Sequence, residues 1–288
     1  MRRRFVFDKL VDHLPNKRFS IIVGARQTGK STVMDQLLKY CKGLGYATAS
    51  LNAEHKDVRE NLNNAPENLF QYLPDTNEKV YVFIDEIQKL DDPTHFLKVL
   101  WDDHTDKLKI IATGSSAFYM DEKFDDSLAG RKTIFNLYTC TFEEYLYLLE
   151  KDDLLEEFRR VKQNPEAKSM ALPLIQAAFY RYMQYGGYPE IVVTQDDETK
   201  IEILKDLRDS YVKKDLQDAG VKDSEAFYKL FRILAIQACG LVNTSELAKT
   251  VRINEETVKH YMDIMQKSFH LRLVKPFFRN LEKELVKM

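Results

Sequence analysis

The first 140 residues alternate between short apolar runs and longer segments whose apolar residues have helical spacing. The clearest runs are residues 19–23, 80–84 and 109–113, and a glycine or an aspartate follows each of them. Such runs are typical of strands that are buried on both faces of a parallel sheet. Because segments 29–42 and 93–103 between them have helical spacing, the pattern predicts βαβ units and a parallel sheet covered by helices on both faces.

Weaker patterns fill the rest of this region. Runs at 46–51 and 133–138 are predicted to add two strands to the sheet. The segment 61–76 contains several asparagines and two prolines, and it is predicted to be looser.

At about residue 142 the pattern changes. Strand-like runs give way to long helical patterns rich in Leu, Tyr and Glu, which Gly186-Gly-Tyr-Pro189 interrupts. We therefore predict three units: an α/β core at 1–140, a helical region at 141–222 and a third unit at 223–288.

The third unit has the pattern of a helix-turn-helix followed by a hairpin. After a first helix, a second is predicted at 245–251 with Thr244 as its cap, and a third follows Asn254. The apolar residues that face inward from the third helix are Val258, Tyr261, Met262 and Met265. Short β-like runs at 271–274 and 285–287 complete a winged-helix pattern.

Charge and composition exclude several classes of protein. The chain has 43 Lys and Arg against 45 Asp and Glu, and this balance gives no general attraction to nucleic acid or anionic membranes. Its 3 cysteines are far apart and its 6 histidines are scattered, which argues against disulfides and transition-metal sites. We find no signal-peptide core and no apolar run long enough to span a bilayer. We therefore expect a soluble, cytoplasmic protein with no membrane partner.

One motif carries chemistry of its own. The eight residues after the first strand satisfy GxxxxGK[ST]: Gly24, Ala25, Arg26, Gln27, Thr28, Gly29, Lys30 and Ser31. A turn of small residues at a helix N-terminus presents N–H groups and positive potential to a triphosphate. We predict that Lys30 contacts the β- and γ-phosphates, Ser31 supplies a Mg²⁺ ligand and Thr32 contacts the α-phosphate. The alternative is a glycine-rich turn that arose by chance.

Polar residues also end the next two strands. Asp85 and Glu86 follow the most apolar run, where two acids are costly unless they are used. We predict that Asp85 holds Mg²⁺ and that Glu86 orients and activates the attacking water; the alternative is a helix N-cap with an acidic first turn. The hydroxyls of Thr113, Ser115 and Ser116 are candidates for sensing the γ-phosphate or positioning the water, or they form an ordinary polar strand exit.

Three residues further along the chain complete the candidate set. Arg131 is a candidate for stabilising the transition state in a neighbouring subunit, or it forms a surface salt bridge. Tyr188 and Pro189 are candidates for packing on adenine, or they mark a turn between helices.

In this order, the motifs resemble those of prokaryotic AAA+/STAND-like P-loop ATPases that have a DEIQ Walker B box and a GGxP lid motif. The motifs are GARQTGKS, VYVFIDEIQKL, IIATGSS, LAGR and YGGYPE, followed by the winged-helix pattern. The resemblance covers nearly the whole chain. It implies an ASCE-type sheet, in which the sensor strand lies between the Walker A and Walker B strands, followed by a helical lid and a winged helix.

The resemblance also implies roles for single residues. Lys30 and Ser31 match Walker A, and Asp85 and Glu86 match Walker B. Thr113 or Ser115 matches sensor 1, Pro189 matches the adenine-contacting proline, and Arg131 loosely matches an arginine finger. ATP is implied rather than GTP. Family members often continue into a nuclease-like domain, and the chain stops about where that domain would begin, so we expect a truncated chain or a short member without nuclease activity.

We therefore predict Mg²⁺-dependent ATP binding and hydrolysis as a conformational switch that acts on an unidentified protein partner. A homo-oligomer is expected if Arg131 acts in trans. The alternative is a DNA-binding winged-helix module with nucleotide as a structural or regulatory ligand, although Glu255 and Glu256 at the start of the DNA-reading helix would face phosphates. A small-molecule kinase is less favoured, because no motif for an acceptor substrate is present.

Overall fold

The computed structural model describes residues 2–115, 128–164, 166–218, 221 and 223–274. The core contains α1 (Val6–His13), β1 (Phe19–Val23), α2 (Lys30–Gly43), β2 (Thr48–Asn52), α3 (Lys56–Asn64), β3 (Val80–Asp85), α4 (Pro93–His104), β4 (Leu108–Gly114) and β5 (Lys132–Asn136). Short 3₁₀ helices lie at Pro66–Tyr72 and Ile87–Lys89. The later elements are α5 (Phe142–Leu148), α6 (Asp152–Gln163), α7 (Leu172–Tyr185), α8 (Pro189–Val193), α9 (Asp197–Asp218), α10 (Ser224–Ile236), α11 (Thr244–Val251) and α12 (Glu255–Lys267).

The strands form one parallel sheet in the order β2-β3-β4-β1-β5. The predicted α/β core with a parallel sheet is therefore confirmed. β4, which follows the acid pair in sequence, lies between β1 and β3. Val23 pairs with Gly114, and Ile84 pairs with Ala112. This register brings the carboxyl ends of β1, β3 and β4 to one edge, where parallel α/β sheets place their ligands.

Alternate residues of each strand point to opposite sides of the sheet. Because apolar residues lie on both sides, helices cover both faces. On one face, Ile22, Phe83 and Ile111 are buried beneath α1 and α2. On the other, Ile21 and Val82 are buried with residues of α3 and α4.

Two core helices were not predicted. In α1 Phe7 and Leu10 are buried, and Val6 and Val11 are partly buried against the same cluster. In α3 Leu62 is buried and Val58 is partly buried, and the other residues of the helix are polar. The segment 61–76 was predicted to be loose, but it holds the end of α3 and a 3₁₀ helix. Tertiary packing, rather than local pattern, stabilises such helices.

The region after residue 141 is helical, as predicted, and two of its parts differ in detail from expectation. Asn243, not Thr244, caps α11, since its side chain accepts from the N–H groups of Ser245 and Glu246. Residues 271–274 form no strand, and the run 285–287 lies outside the described residues. A wing is therefore not observed in the part of the chain that the structure describes.

The helices α10 to α12 nevertheless form a core of their own. Asn254 caps α12 as predicted, and the four residues predicted to face inward are buried. The three-unit division stays a prediction. Among the described helices, none combines the length and the apolar composition that a membrane crossing requires.

Candidate nucleotide-binding site

The loop from Gly24 to Ser31 connects β1 to α2 at the carboxyl edge of the sheet. Glycine is required at two positions of this loop, for a different steric reason at each. A Cβ atom at position 24 would lie 2.1 Å from the carbonyl oxygen of Leu137, so only glycine fits there. Gly29 has a φ of 90°, in the left-handed region that glycine adopts without strain. Both fixed glycines of the motif are thus required by this loop conformation.

We expect Gly24→Ala to lower stability and to abolish nucleotide binding, because the new methyl group would collide with the backbone at Leu137. Overpacking of this kind costs about 1–3 kcal/mol of unfolding free energy. Gly43→Ala is the matched control, because a Cβ atom there meets no neighbour within 4 Å. Denaturant unfolding and nucleotide titration of both variants measure the difference. Equal stability and equal binding would contradict the loop geometry.

Hydrogen bonds inside the loop fix its shape. The Thr28 hydroxyl donates to the Ala25 carbonyl at 2.8 Å. Lys30 is only 5% exposed, and its ammonium group donates to the carbonyls of Gly24 and Ala25 at 3.0 and 2.9 Å. The positive charge is therefore held against the loop at the start of α2.

Thr113 joins the two acids at the end of β3. Its hydroxyl is buried, donates to an oxygen of Asp85, and accepts from the backbone N–H of Glu86 at 2.9 Å. Glu86 has a φ of 53° and begins the 3₁₀ helix, but its side chain makes no capping hydrogen bond. The alternative of an ordinary acidic N-cap therefore does not describe this pair.

Gln88 extends the polar network. Its side-chain amide donates to the carboxylate of Glu86 and to the hydroxyl of Ser115, the latter at 3.1 Å. The Gln88 Oε1 atom is buried and has no hydrogen-bond partner within the described part of the chain. Sequence reasoning missed Gln88 as a functional residue, although the DEIQ motif contains it. Ser116 lies outside the described residues.

Two neighbouring cavities share Ser31. The first, of about 670 Å³, is lined by Arg26, Gln27, Gly29, Lys30, Ser31, Thr32, Glu86, Ser115, Pro189, Glu190, Val193 and Ser210. The second, of about 460 Å³, is lined by Ser31, Met34, Asp35, Ser50, Leu51, Asn52, His55, Val58, Tyr72 and Asp85. The phosphate-loop residues and both acids of the predicted site are thus brought to adjoining spaces.

Ser31 and Asp85 fit a magnesium ion by their chemistry, since hydroxyl and carboxylate oxygens are hard ligands. Over the described residues, no group of three or more His, Cys, Asp and Glu side chains forms a metal cage. Ser31 and Asp85 line the same cavity, and Mg²⁺ sites with one or two protein ligands leave the remaining positions to waters and phosphates.

Of the two residues predicted to pack on adenine, Pro189 lines a cavity at the phosphate-binding loop and Tyr188 does not. Pro189 lines the first cavity, and its Cγ atom lies 3.8 Å from the Cβ position of Gly29. Tyr188 packs against the cluster of Tyr185, Ile191 and Leu207, and does not line either cavity.

Arg131 lies away from the loop. Its carbonyl accepts from the N–H of Phe19 at the amino-terminal end of β1, whereas Gly24 follows the other end of that strand. Its guanidinium pairs with Asp102 at 2.9 Å. The structure therefore does not bring Arg131 to the site of its own chain, and a role in a neighbouring copy stays a prediction.

Comparison with known families agrees with this geometry. Residues 16–146 match the family model of an AAA domain. The matched range contains the whole sheet, the loop and both acids, and it supports an AAA-type P-loop core with nucleotide binding. Residues 176–288 match a domain of unknown function, DUF8612. The narrower STAND-like assignment stays a prediction.

Two curated relatives extend over most of the chain. An uncharacterized protein of Haemophilus influenzae is 26% identical over 279 residues, which are 93% of this chain and 64% of the relative. The uncharacterized protein MJ1544 of Methanocaldococcus jannaschii is 22% identical over 281 residues, which are 92% of this chain and 58% of the relative. The chain thus spans about three fifths of the length of these relatives.

Solved structures show a more distant likeness. The Aeropyrum pernix Orc1 protein in complex with DNA has a TM-score of 0.40 at 13% identity, over 91% of this chain and 82% of that one. AMPPCP-bound DnaA from Aquifex aeolicus has a TM-score of 0.38 at 15% identity, over 98% of this chain and 89% of that one. At these scores the likeness carries no functional conclusion.

Proposed function

We propose that the protein binds MgATP at the loop from Gly24 to Ser31 and hydrolyses it. The observation that carries this proposal is the position of Ser31, which lines one cavity with Lys30 and Glu86 and another with Asp85. A phosphate donor set, a metal donor set and a candidate base therefore meet at one helix N-terminus.

Each residue has a role that its contacts support. Lys30, which now donates to two loop carbonyls, would turn its ammonium to the β- and γ-phosphate oxygens. Ser31 and Asp85 would hold Mg²⁺, which supplies charge neutralisation of the phosphates. Thr113 would hold Asp85 and Glu86 in fixed positions relative to each other through its two hydrogen bonds.

Glu86 would act on the attacking water. Its carboxylate accepts a hydrogen bond from Gln88, which is in turn bonded to Ser115 at the end of β4. This arrangement orients one carboxylate oxygen towards Gln88 and leaves the group in the cavity beside Lys30. A glutamate at this position suits the activation of a water molecule for hydrolysis better than the transfer of a phosphoryl group to a second substrate.

Hydrolysis would act as a switch through the helical region. Pro189 and Glu190 begin α8 and line the same cavity as the loop. A nucleotide in this cavity would contact both parts of the chain, so its binding and loss would bias their arrangement.

Neither DNA binding nor self-association is favoured by a described contact. On α12, Lys259 is paired with Glu255 and Lys267 with Asp263, each at 2.8 Å. These pairs reduce the positive charge that the helix offers to phosphates. Both properties stay predictions from the sequence.

Steady-state phosphate release tests the proposal directly. We expect release from ATP that requires Mg²⁺ and stops when EDTA is added in excess, with GTP a poorer substrate. Release without any added acceptor also separates hydrolysis from a kinase. Purified protein that binds neither ATP nor GTP would contradict the proposal, and tight binding with negligible turnover would favour nucleotide as a structural ligand.

A further inference from the structure

Arg4 is buried between three parts of the chain that are far apart in sequence. Its guanidinium donates to the Glu144 carboxylate at 2.8 and 3.0 Å, to the Thr28 carbonyl at 2.8 Å and to the Tyr138 carbonyl at 2.9 Å. The side chains of Arg4 and Glu144 are each 7% exposed. One planar cation therefore joins the phosphate-binding loop, the exit of β5 and the first helix of the helical region.

Glu144 is equally well satisfied. It belongs to a capping box with Thr141 at the start of α5, and it also accepts from the backbone N–H of Phe5 at 3.0 Å. Burial acts to raise the pKa of this carboxyl, but the hydrogen bonds and charge of Arg4 outweigh it and hold the pKa below its ordinary value. Glu144 is thus a carboxylate at neutral pH, and removing Arg4 would leave this charge buried and uncompensated.

The backbone between β5 and α5 makes further contacts on both sides. The Leu137 N–H donates to the Val23 carbonyl at 2.7 Å, beside the loop. The Cys140 N–H donates to the Gly187 carbonyl at 2.6 Å, and the Cys140 carbonyl accepts from the Tyr182 hydroxyl at 2.8 Å. This stretch therefore touches the base of the loop and the turn before α8.

We infer that Arg4 is a positioning residue for the phosphate-binding loop and that, with Glu144, it couples the loop to the helical region; this rests on the proposed function. A trans peptide is planar, so its C=O and N–H point in opposite directions. By holding the Thr28 carbonyl, Arg4 fixes the direction of the Gly29 N–H on the same peptide. Such an N–H is one of the donors that a phosphate-binding loop must aim at its ligand.

Three variants of the full chain separate positioning from stability. Arg4→Met removes the cation and leaves Glu144 buried and charged. Arg4→Met with Glu144→Gln also removes that charge, while glutamine still serves in a capping box. Arg2→Met is the matched control, because Arg2 pairs with Asp152 of α6 at the surface and does not touch the loop.

Affinity for a fluorescent ATP analogue with Mg²⁺ and the midpoint of thermal unfolding are measured for each variant. We expect the single variant to lose stability and to bind about tenfold or more weakly, because a charge-assisted hydrogen bond to the loop is lost. The double variant should regain part of the stability, because glutamine removes the buried charge but cannot accept from the N–H groups of both Phe5 and Thr141, and it should not regain the affinity. Arg2→Met should bind like wild type.

Two results would overturn the inference: a stable double variant that binds like wild type, or an Arg4→Met variant that binds like Arg2→Met. Wild-type protein without affinity for the analogue would instead refute the proposed function on which the inference depends.

Discussion

Replacing Lys30 with alanine is expected to abolish nucleotide binding and hydrolysis. The ammonium group is held within the loop by the carbonyls of Gly24 and Ala25, at the N-terminus of α2. From there its charge would meet the phosphates together with the loop N–H groups. The variant loses charge-assisted hydrogen bonds to two phosphates at once, and this loss corresponds to an affinity that is at least about a hundredfold lower.

Titration with MgATP and steady-state phosphate release measure this effect. Lys42→Ala is the matched control, since Lys42 is an exposed lysine near the end of the same helix. The control should bind and turn over ATP like wild type. A Lys30→Ala variant that stays folded and binds with unchanged affinity would show that the loop does not hold a triphosphate.

The centre of the sheet was predictable because β1, β3 and β4 are buried on both faces. The runs that form β1, β3 and β4 are almost continuously apolar, so they need no knowledge of their neighbours to be recognised. The loop was predictable for a related reason. Each fixed glycine is required by the local backbone, Gly29 by its positive φ and Gly24 by the nearby carbonyl of Leu137. Both the residue type and the spacing of the motif are therefore visible in the sequence.

The helices α1 and α3 escaped prediction because their stability comes from the surface on which they pack. The apolar residues of α3 are Leu62, which is buried, and Val58, which is partly buried, and two positions give only a weak periodicity. The cap of α11 was placed one residue late, because Asn243 and Thr244 are both good capping residues.

Arg4 could not have been singled out from sequence. It lies in a row of three arginines, of which Arg2 pairs with Asp152 and Arg3 stacks on Phe7. Only the folded structure shows that Arg4 is buried against Glu144, because the two residues are 140 positions apart in sequence. Gln88 is similar, since one of its two hydrogen bonds reaches Ser115, which directly follows β4.

Replacing Glu86 with glutamine is expected to slow hydrolysis by about 10²–10⁴-fold while MgATP still binds, because general base catalysis typically contributes this much. Glutamine has nearly the same shape, and its side-chain oxygen still accepts the hydrogen bond from Gln88. The backbone N–H at this position would still donate to Thr113. The substitution therefore removes basicity and leaves the Mg²⁺ donors Ser31 and Asp85 in place.

Single-turnover hydrolysis and MgATP affinity, measured on the same protein, distinguish the possible roles. Asp91→Asn is the control, since Asp91 is an exposed acid just beyond the 3₁₀ helix and lines neither cavity. If Glu86 instead contributed mainly to metal binding, affinity for MgATP would fall together with the rate. Turnover equal to that of wild type would remove Glu86 from the mechanism and leave Ser115 or Thr113 to orient the water.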